Sequence, residues 1–116
     1  MSFRLSIGLA LIAAAIAAPA SAERRVYAGR EAAALKCAAY YSYTAHVGEM
    51  RGVLSTSVAE AGRELGLYIL QRHVSGTWDQ KMKAYRQILD RMPVSDAALF
   101  RDASTYLAYC EKTFLR

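Results

Sequence analysis

The chain has 116 residues, a hydrophobic fraction of 54% and a formal charge of +5, with 15 Lys and Arg against 10 Asp and Glu. Such a chain is too short for two conventional domains and too hydrophobic for intrinsic disorder. The hydrophobic residues are unevenly distributed, because they make up 16 of the first 22 residues but 47 of the remaining 94. No stretch after residue 22 approaches the roughly 20 apolar residues that a membrane span needs.

Residues 1–22 have the three parts of a secretory signal peptide. Arg4 supplies the positive charge, residues 5–18 form the apolar stretch, and residues 20–22 give the A-x-A pattern of a cleavage site. The alternative is an uncleaved anchor, but an apolar stretch of about 14 residues is short for a span. We therefore predict a signal peptide over 1-22, a flexible leader over 23-29 and a helical domain over 30-116. The protein is then expected to be periplasmic or secreted. Removal of the signal peptide, which contains Arg4, lowers the formal charge from +5 to +4.

The first two helical segments are predicted over residues 30–51 and 57–74. In both segments small and apolar residues recur three and four positions apart, which places them on one face of a helix. Ser57 and Glu60 have the spacing of a capping box, in which each side chain accepts a hydrogen bond from the first turn. We expect the second helix to begin there.

Two further helices follow, each with its own start signal. Thr77 and Gln80 repeat the capping-box spacing, and Pro93 ends the third helix because the residue before a proline avoids the helical region. Ser95 is the expected N-cap of the fourth helix. Cys110 lies on the apolar face of this last helix, as Cys37 does in the first helix.

Cys37 and Cys110 are the two cysteines of the chain. In an exported protein an even cysteine count indicates a disulfide rather than reduced thiols. Intermolecular pairing and free thiols are the alternatives. Neither His46 nor His73 has metal-ligand spacing from a cysteine, so no metal and no cofactor are expected. The disulfide would close a loop of about 74 residues. The loss of loop entropy in the unfolded chain would then stabilise the folded protein by about 4.4 kcal/mol.

The positions of the cysteines fit one architecture. In an up-down four-helix bundle with short loops, the first and last helices are antiparallel neighbours, so the start of one lies beside the end of the other. Cys37 is about two turns into the first helix, and Cys110 is between one and two turns from the end of the last. We predict an all-α, up-down four-helix bundle stapled by this disulfide, as a monomer or weak dimer.

Catalytic motifs are absent from the sequence. It contains no G-x-S-x-G elbow, no glycine-rich phosphate loop and no HExxH. His46 and Glu49 lack the further carboxylates of a di-iron site, and His73 is expected to compensate the dipole at the end of its helix. We therefore do not expect an enzyme.

Gly62 and Gly66 form a G-x-x-x-G pattern within the second helix. Each costs about 1 kcal/mol relative to alanine, so a close approach of another group is expected. That group is either a neighbouring backbone of the same chain or a partner or ligand lying in a groove.

Tyrosines are concentrated in the first and last helices. Most buried tyrosines pack in a core with their hydroxyl at a polar partner, but tyrosine is also enriched at interface hot spots. Tyr40 and Tyr43 point away from the stripe that carries Cys37, and Tyr109 lies beside Cys110. Tyr40, Tyr43 and Tyr109 are therefore the candidate partner-binding residues.

The densest basic stretch, from Lys81 to Arg91, lies on the polar side of the third helix. Such a stretch is usually a solvated face, but in the cell envelope it could contact anionic lipid headgroups or an acidic protein. Peripheral contact with a membrane is therefore an alternative role for this stretch. Nucleic acid is not an expected partner, because the protein is predicted to be exported.

These observations favour an exported, non-enzymatic binding or accessory protein of the cell envelope. We expect its partner to be another envelope protein, recognised by an aromatic and basic helical face. The alternative is a periplasmic carrier of a small apolar ligand, held inside the bundle in a cavity lined by Trp78, Met82 and Tyr85.

Overall fold

A computed structural model describes residues 25–93 and 95–116. The signal peptide predicted over residues 1–22 lies outside the described residues and stays a prediction. The described part consists of four helices and contains no strand, which confirms the all-α class. The helices are α1 (Gly29–Met50), α2 (Thr56–His73), α3 (Trp78–Leu89) and α4 (Asp96–Phe114).

The third helix is shorter than the apolar pattern suggested. Its pattern continues to Met92, but α3 ends at Leu89 and residues 90–92 form a turn. The N–H groups of Arg91 and Met92 donate to carbonyl groups three residues earlier, at 3.0 and 3.1 Å, rather than four. Pro93 explains this tightening, because it disfavours helical geometry at the residue before it.

Two of the three predicted helix starts are confirmed. The Thr77 hydroxyl accepts the N–H of Gln80 at 3.2 Å, and the Gln80 side chain accepts the N–H of Thr77 at 2.9 Å, which completes the capping box of α3. Ser95 caps α4 by accepting the N–H of Ala98 at 3.2 Å.

The capping box predicted at Ser57 and Glu60 is wrong. Ser55 is the N-cap of α2 and accepts the N–H of Val58 at 3.3 Å. Its backbone is extended, with φ −68° and ψ 160°, as an N-cap requires. Two serines two residues apart offer the same capping chemistry, and the helix begins after the first of them.

Helix α1 is central and packs against each of the other three helices. It is rich in alanine, and small side chains let neighbouring helices approach it from several sides. Its buried residues are Ala34, Leu35, Cys37, Ala38, Ala39, Tyr40, Ala45, Val47 and Gly48. None of the helices in the described part is both long and apolar enough to cross a membrane.

The disulfide joins α1 to α4. Cys37 and Cys110 are bonded, with their Cα atoms 5.7 Å apart, and both are buried. The predicted pairing is therefore confirmed. Arg30, at the start of α1, donates to the Thr113 carbonyl, near the end of α4, at 3.0 Å. The start of α1 therefore lies beside the end of α4, and the two helices run antiparallel as the bundle requires.

Two apolar clusters form the core. The first surrounds the disulfide and includes Ile69, Leu70 and Phe114, whereas the second lies between α1, α4 and the turn after α3 and includes Leu99 and Met92. Helix α3 contributes no fully buried residue of its own and covers both clusters with half-buried side chains. It is the most peripheral of the four helices.

Candidate functional site

The three predicted partner-binding tyrosines do not form one exposed patch. Tyr40 is only 6% exposed and packs in the second apolar cluster, so its predicted place on the outer face is wrong. The side of α1 that points away from the disulfide faces a second part of the core. Tyr43 is half-buried against the same cluster, and Tyr109 is 44% exposed.

Tyr40 and Tyr109 nevertheless belong to one continuous run of rings. The ring centroid of Tyr106 lies 5.3 Å from that of Tyr40 and 5.4 Å from that of Tyr109. The Tyr109 ring is followed by Phe114 at 6.4 Å. These separations fall within the range at which aromatic pairs attract one another.

The run continues onto α2 through a histidine. The ring centroids of His73 and Phe114 are 5.1 Å apart, and those of His73 and Tyr68 are 6.2 Å apart. His73 Nε2 also lies 3.0 Å from the Phe114 carbonyl oxygen. Because a carbonyl only accepts, Nε2 carries the proton in this bond, and His73 ties the end of α2 to the end of α4. We call the six rings of Tyr40, Tyr106, Tyr109, Phe114, His73 and Tyr68 the aromatic chain.

Two cations lie over the aromatic chain. Lys36 Nζ is 4.5 Å from the Tyr106 ring centroid and 6.0 Å from that of Tyr40. The Arg30 guanidinium is 4.9 Å from the Phe114 ring centroid. Cations at such distances are attracted by the ring quadrupole. The aromatic chain together with Lys36 and Arg30 is the aromatic/basic face.

The tyrosines of this face are hydrogen-bonding groups rather than bases. Burial raises the pKa of Tyr40, and the Asp102 carboxylate raises it further. Burial also raises the pKa of Tyr106, with smaller contributions from Tyr109 and Tyr40. Both hydroxyls therefore stay protonated at neutral pH and can donate hydrogen bonds.

Part of the aromatic/basic face could have been predicted from the spacing of aromatic residues in the sequence. Tyr106 and Phe114 are four residues before and after Cys110, which places them beside it on one side of α4. Tyr68 and His73 carried no such signal, since their approach to α4 depends on how α2 packs against α1.

Gly62 and Gly66 serve packing between α1 and α2. A Cβ at Gly66 would lie 2.9 Å from the Ala38 carbonyl oxygen, and one at Gly62 would lie 3.0 Å from the Ala45 Cβ and 3.3 Å from the Tyr41 carbonyl oxygen. Helix α1 fills the space that a groove would need. The close-packing alternative is therefore the correct one for these glycines.

In the described part of the chain, Trp78, Met82 and Tyr85 do not line a common cavity, and the cleft that the structure contains is lined by other residues. Trp78 is 46% exposed, whereas Met82 and Tyr85 pack against the core, with the Tyr85 hydroxyl hydrogen-bonded to Ser42. None of these three lines the open cleft of about 540 Å³ that lies between α1, α3 and residues 25–27.

Ser75, in the α2–α3 loop, fixes one wall of this cleft. Its N–H and its hydroxyl both donate to Glu31 Oε2 at 2.6 Å. The Tyr27 hydroxyl donates to the Ser75 carbonyl oxygen at 2.7 Å, and Arg25 donates to the Ser75 hydroxyl. The described part of the segment expected to be a flexible leader is thereby bound to the loop.

This network makes a pH-dependent contribution to stability. Hydrogen bonds from the side chain and then the backbone of Ser75 lower the pKa of Glu31 below its ordinary value of 4.5. A lowered folded-state pKa stabilises the protein above pH 4.5, and the contribution is lost as the pH falls through the folded-state pKa. We expect Glu31→Gln to lower the midpoint of urea unfolding at neutral pH, by an amount that shrinks in acid.

The matched control for this prediction is Glu64→Gln, an exposed carboxylate on α2. Its unfolding midpoint should follow that of the unmodified protein at every pH. If Glu31→Gln lowered the unfolding midpoint by the same amount at acidic pH, the Glu31 carboxylate would not be the source of the pH dependence.

In the described part of the chain no group of three or more His, Cys, Asp or Glu residues could hold a metal ion. No protein-family model matches the chain, and neither a curated protein nor a solved structure shows significant similarity to it. By its fold, the described part of the chain is a four-helix protein stapled by one disulfide.

Proposed function

We propose that the protein is an exported, non-enzymatic binding or accessory protein of the cell envelope, periplasmic or secreted, which contacts another envelope protein through the aromatic/basic face. The observation that carries the proposal is the continuous run of six rings with Arg30 and Lys36 over it. The Cys37–Cys110 disulfide supports export, because such bonds persist in oxidising compartments.

The chemistry of the face favours a protein partner. Tyr109 and Tyr68 are 44% and 41% exposed, so each offers an apolar ring and a hydroxyl at the surface. Buried aromatic anchors contribute much of the binding energy at protein interfaces. Among the described residues, Lys36 and Arg30 make no ion pair. A partner that places carboxylates beside apolar side chains would complement both features.

The rigidity of the face also supports this function. Tyr106 is held between two neighbouring rings, and His73 is held by its hydrogen bond to α4. Side chains that are fixed before binding lose less conformational entropy in a complex, so more of the contact energy appears as affinity.

The test is capture of envelope proteins on the oxidised protein, followed by affinity measurement with the partner found. We expect Tyr109→Ala combined with Lys36→Gln to raise the Kd about 30-fold or more, the effect of losing a hot spot of about 2 kcal/mol. Trp78→Ala is the control, because Trp78 is equally exposed but lies outside the aromatic chain. Equal losses in both variants, or none in the double variant, would refute the proposal.

A second candidate function is that of a carrier of a small ligand with apolar groups. The open cleft beside α3 favours it, since its volume of about 540 Å³ is typical of small-molecule sites. The ligand would then lie at the side of the bundle rather than inside it.

A further inference from the structure

The open cleft shares no lining residue with the aromatic/basic face. Helix α1 contributes Ala32 and Leu35 to it, α3 contributes a longer row, and residues 25–27 close one side. The hydrogen bonds of Tyr27 and Arg25 to Ser75 hold that side in place. The cleft is thus a second concave surface that the structure itself maintains.

The floor of the cleft is apolar. Leu35 is buried, and Ala84 and Ile88 are half-buried beside it. At the rim, Val26 is 95% exposed, the highest value among the large apolar side chains described. An apolar group lying in the cleft would cover Val26 and remove its surface from water, which is favourable.

The charged residues that line the cleft are all cationic, and the nearby Glu31 carboxylate is held by Ser75 outside the lining. Arg25, Lys83 and Arg91 line it, and no carboxylate does. Lys83 lies on α3 and Arg91 in the turn after it, and neither makes an ion pair among the residues that the structure describes. Their cationic groups can therefore meet an anion, while their aliphatic stems extend the apolar lining.

The order of residues along α3 produces this arrangement. Lys83 and Gln87 are four residues apart, a spacing that stacks side chains along one side of α3, and Arg91 follows in the turn after the helix. Ala84 and Ile88, each one position later, continue the row towards the floor. The cleft therefore combines a polar, cationic edge with an apolar base.

We propose that this cleft binds a small amphiphile with one anionic head group and a single apolar chain, such as a fatty-acid carboxylate. The apolar chain lies against Leu35 and Ile88, and the carboxylate lies between Lys83 and Arg91. This proposal rests on the carrier function given above as the second candidate, and it names the class of ligand.

The first test compares three probes of equal chain length on the oxidised full-length protein by calorimetry, below their micelle-forming concentrations. The probes are decanoate, decanol and decylamine. We expect decanoate to bind about 25-fold more tightly than decanol, because each of the two cations contributes about fivefold, and decylamine to bind most weakly.

The second test uses variants of α3 and of the turn that follows it. Lys83→Gln and Arg91→Gln should each raise the Kd for decanoate about fivefold and leave the Kd for decanol unchanged. Gln87→Trp, which places a ring in the cleft, should weaken the binding of both probes. Arg86→Gln is the matched control, because Arg86 is exposed on the same helix but does not line the cleft.

The outcomes separate the proposal from the carrier function. Equal affinity for decanoate and decanol would overturn the anionic head group but leave a carrier, whereas no binding of any probe would remove both. An equal effect of Arg86→Gln would show that only general charge matters. Binding to vesicles of anionic phospholipid without binding to decanoate, or formation of a dimer through the cleft, would assign it another occupant and overturn the proposal.

Discussion

Reduction of the Cys37–Cys110 disulfide is expected to lower the free energy of unfolding by about 4 kcal/mol. The cysteines are separated by 73 residues, so the bond removes a large loop entropy from the unfolded chain. Small domains have unfolding free energies of about 5–15 kcal/mol, and the reduced protein should therefore be only marginally folded.

Urea unfolding with and without a thiol reductant measures this loss. The double variant Cys37→Ala with Cys110→Ala is the control, since the reductant has no bond to break in it. We expect its midpoint to match that of the reduced protein. An oxidised protein whose midpoint does not change on reduction would contradict the prediction.

Replacement of Gly66 by alanine is expected to lower the free energy of unfolding by about 1–3 kcal/mol, even though alanine favours a helix. The new Cβ would lie 2.9 Å from the carbonyl oxygen of Ala38. That oxygen belongs to the backbone of α1 and can move only if the helix moves. The added methyl group therefore forces α1 and α2 apart at this contact.

Gly48→Ala is the matched control for this prediction. Its Cβ would meet Leu54 Cδ1 at 2.6 Å and Leu54 Cγ at 2.7 Å, even shorter distances, but both atoms belong to a side chain that can rotate rather than to backbone. We expect a change of less than about 1 kcal/mol, because Leu54 can rotate away. Similar losses in the two variants, measured by urea unfolding, would show that contact distance alone decides the cost.

The helices and the disulfide could be predicted because local chemistry determines them. Hydrophobic periodicity gave the four helices, and Thr77 and Ser95 carried their own capping signals. The error at Ser57 has a local cause too, because Ser55 offers the same hydroxyl two residues earlier. Pairing of Cys37 with Cys110 needed only their depths in the first and last helices.

The candidate sites depended on facts that no local pattern contains. Tyr40 was assigned to the surface on the assumption that α1 has one buried stripe, whereas α1 is central and has several. The cleft depends on Tyr27 and Arg25 reaching Ser75, which is 48 and 50 residues further along the chain. Periodicity gives the face of a helix but not the number of its neighbours.

The peripheral position of α3 has a consequence for how a ligand could enter. Because α3 has no fully buried residue, it can detach at a lower free-energy cost than the other helices, while the disulfide and the Gly66 contact keep α1, α2 and α4 together. Transient opening of α3 would widen the cleft without global unfolding. The same helix would then supply both Lys83, one of the cations proposed to recognise a ligand, and the motion that admits it.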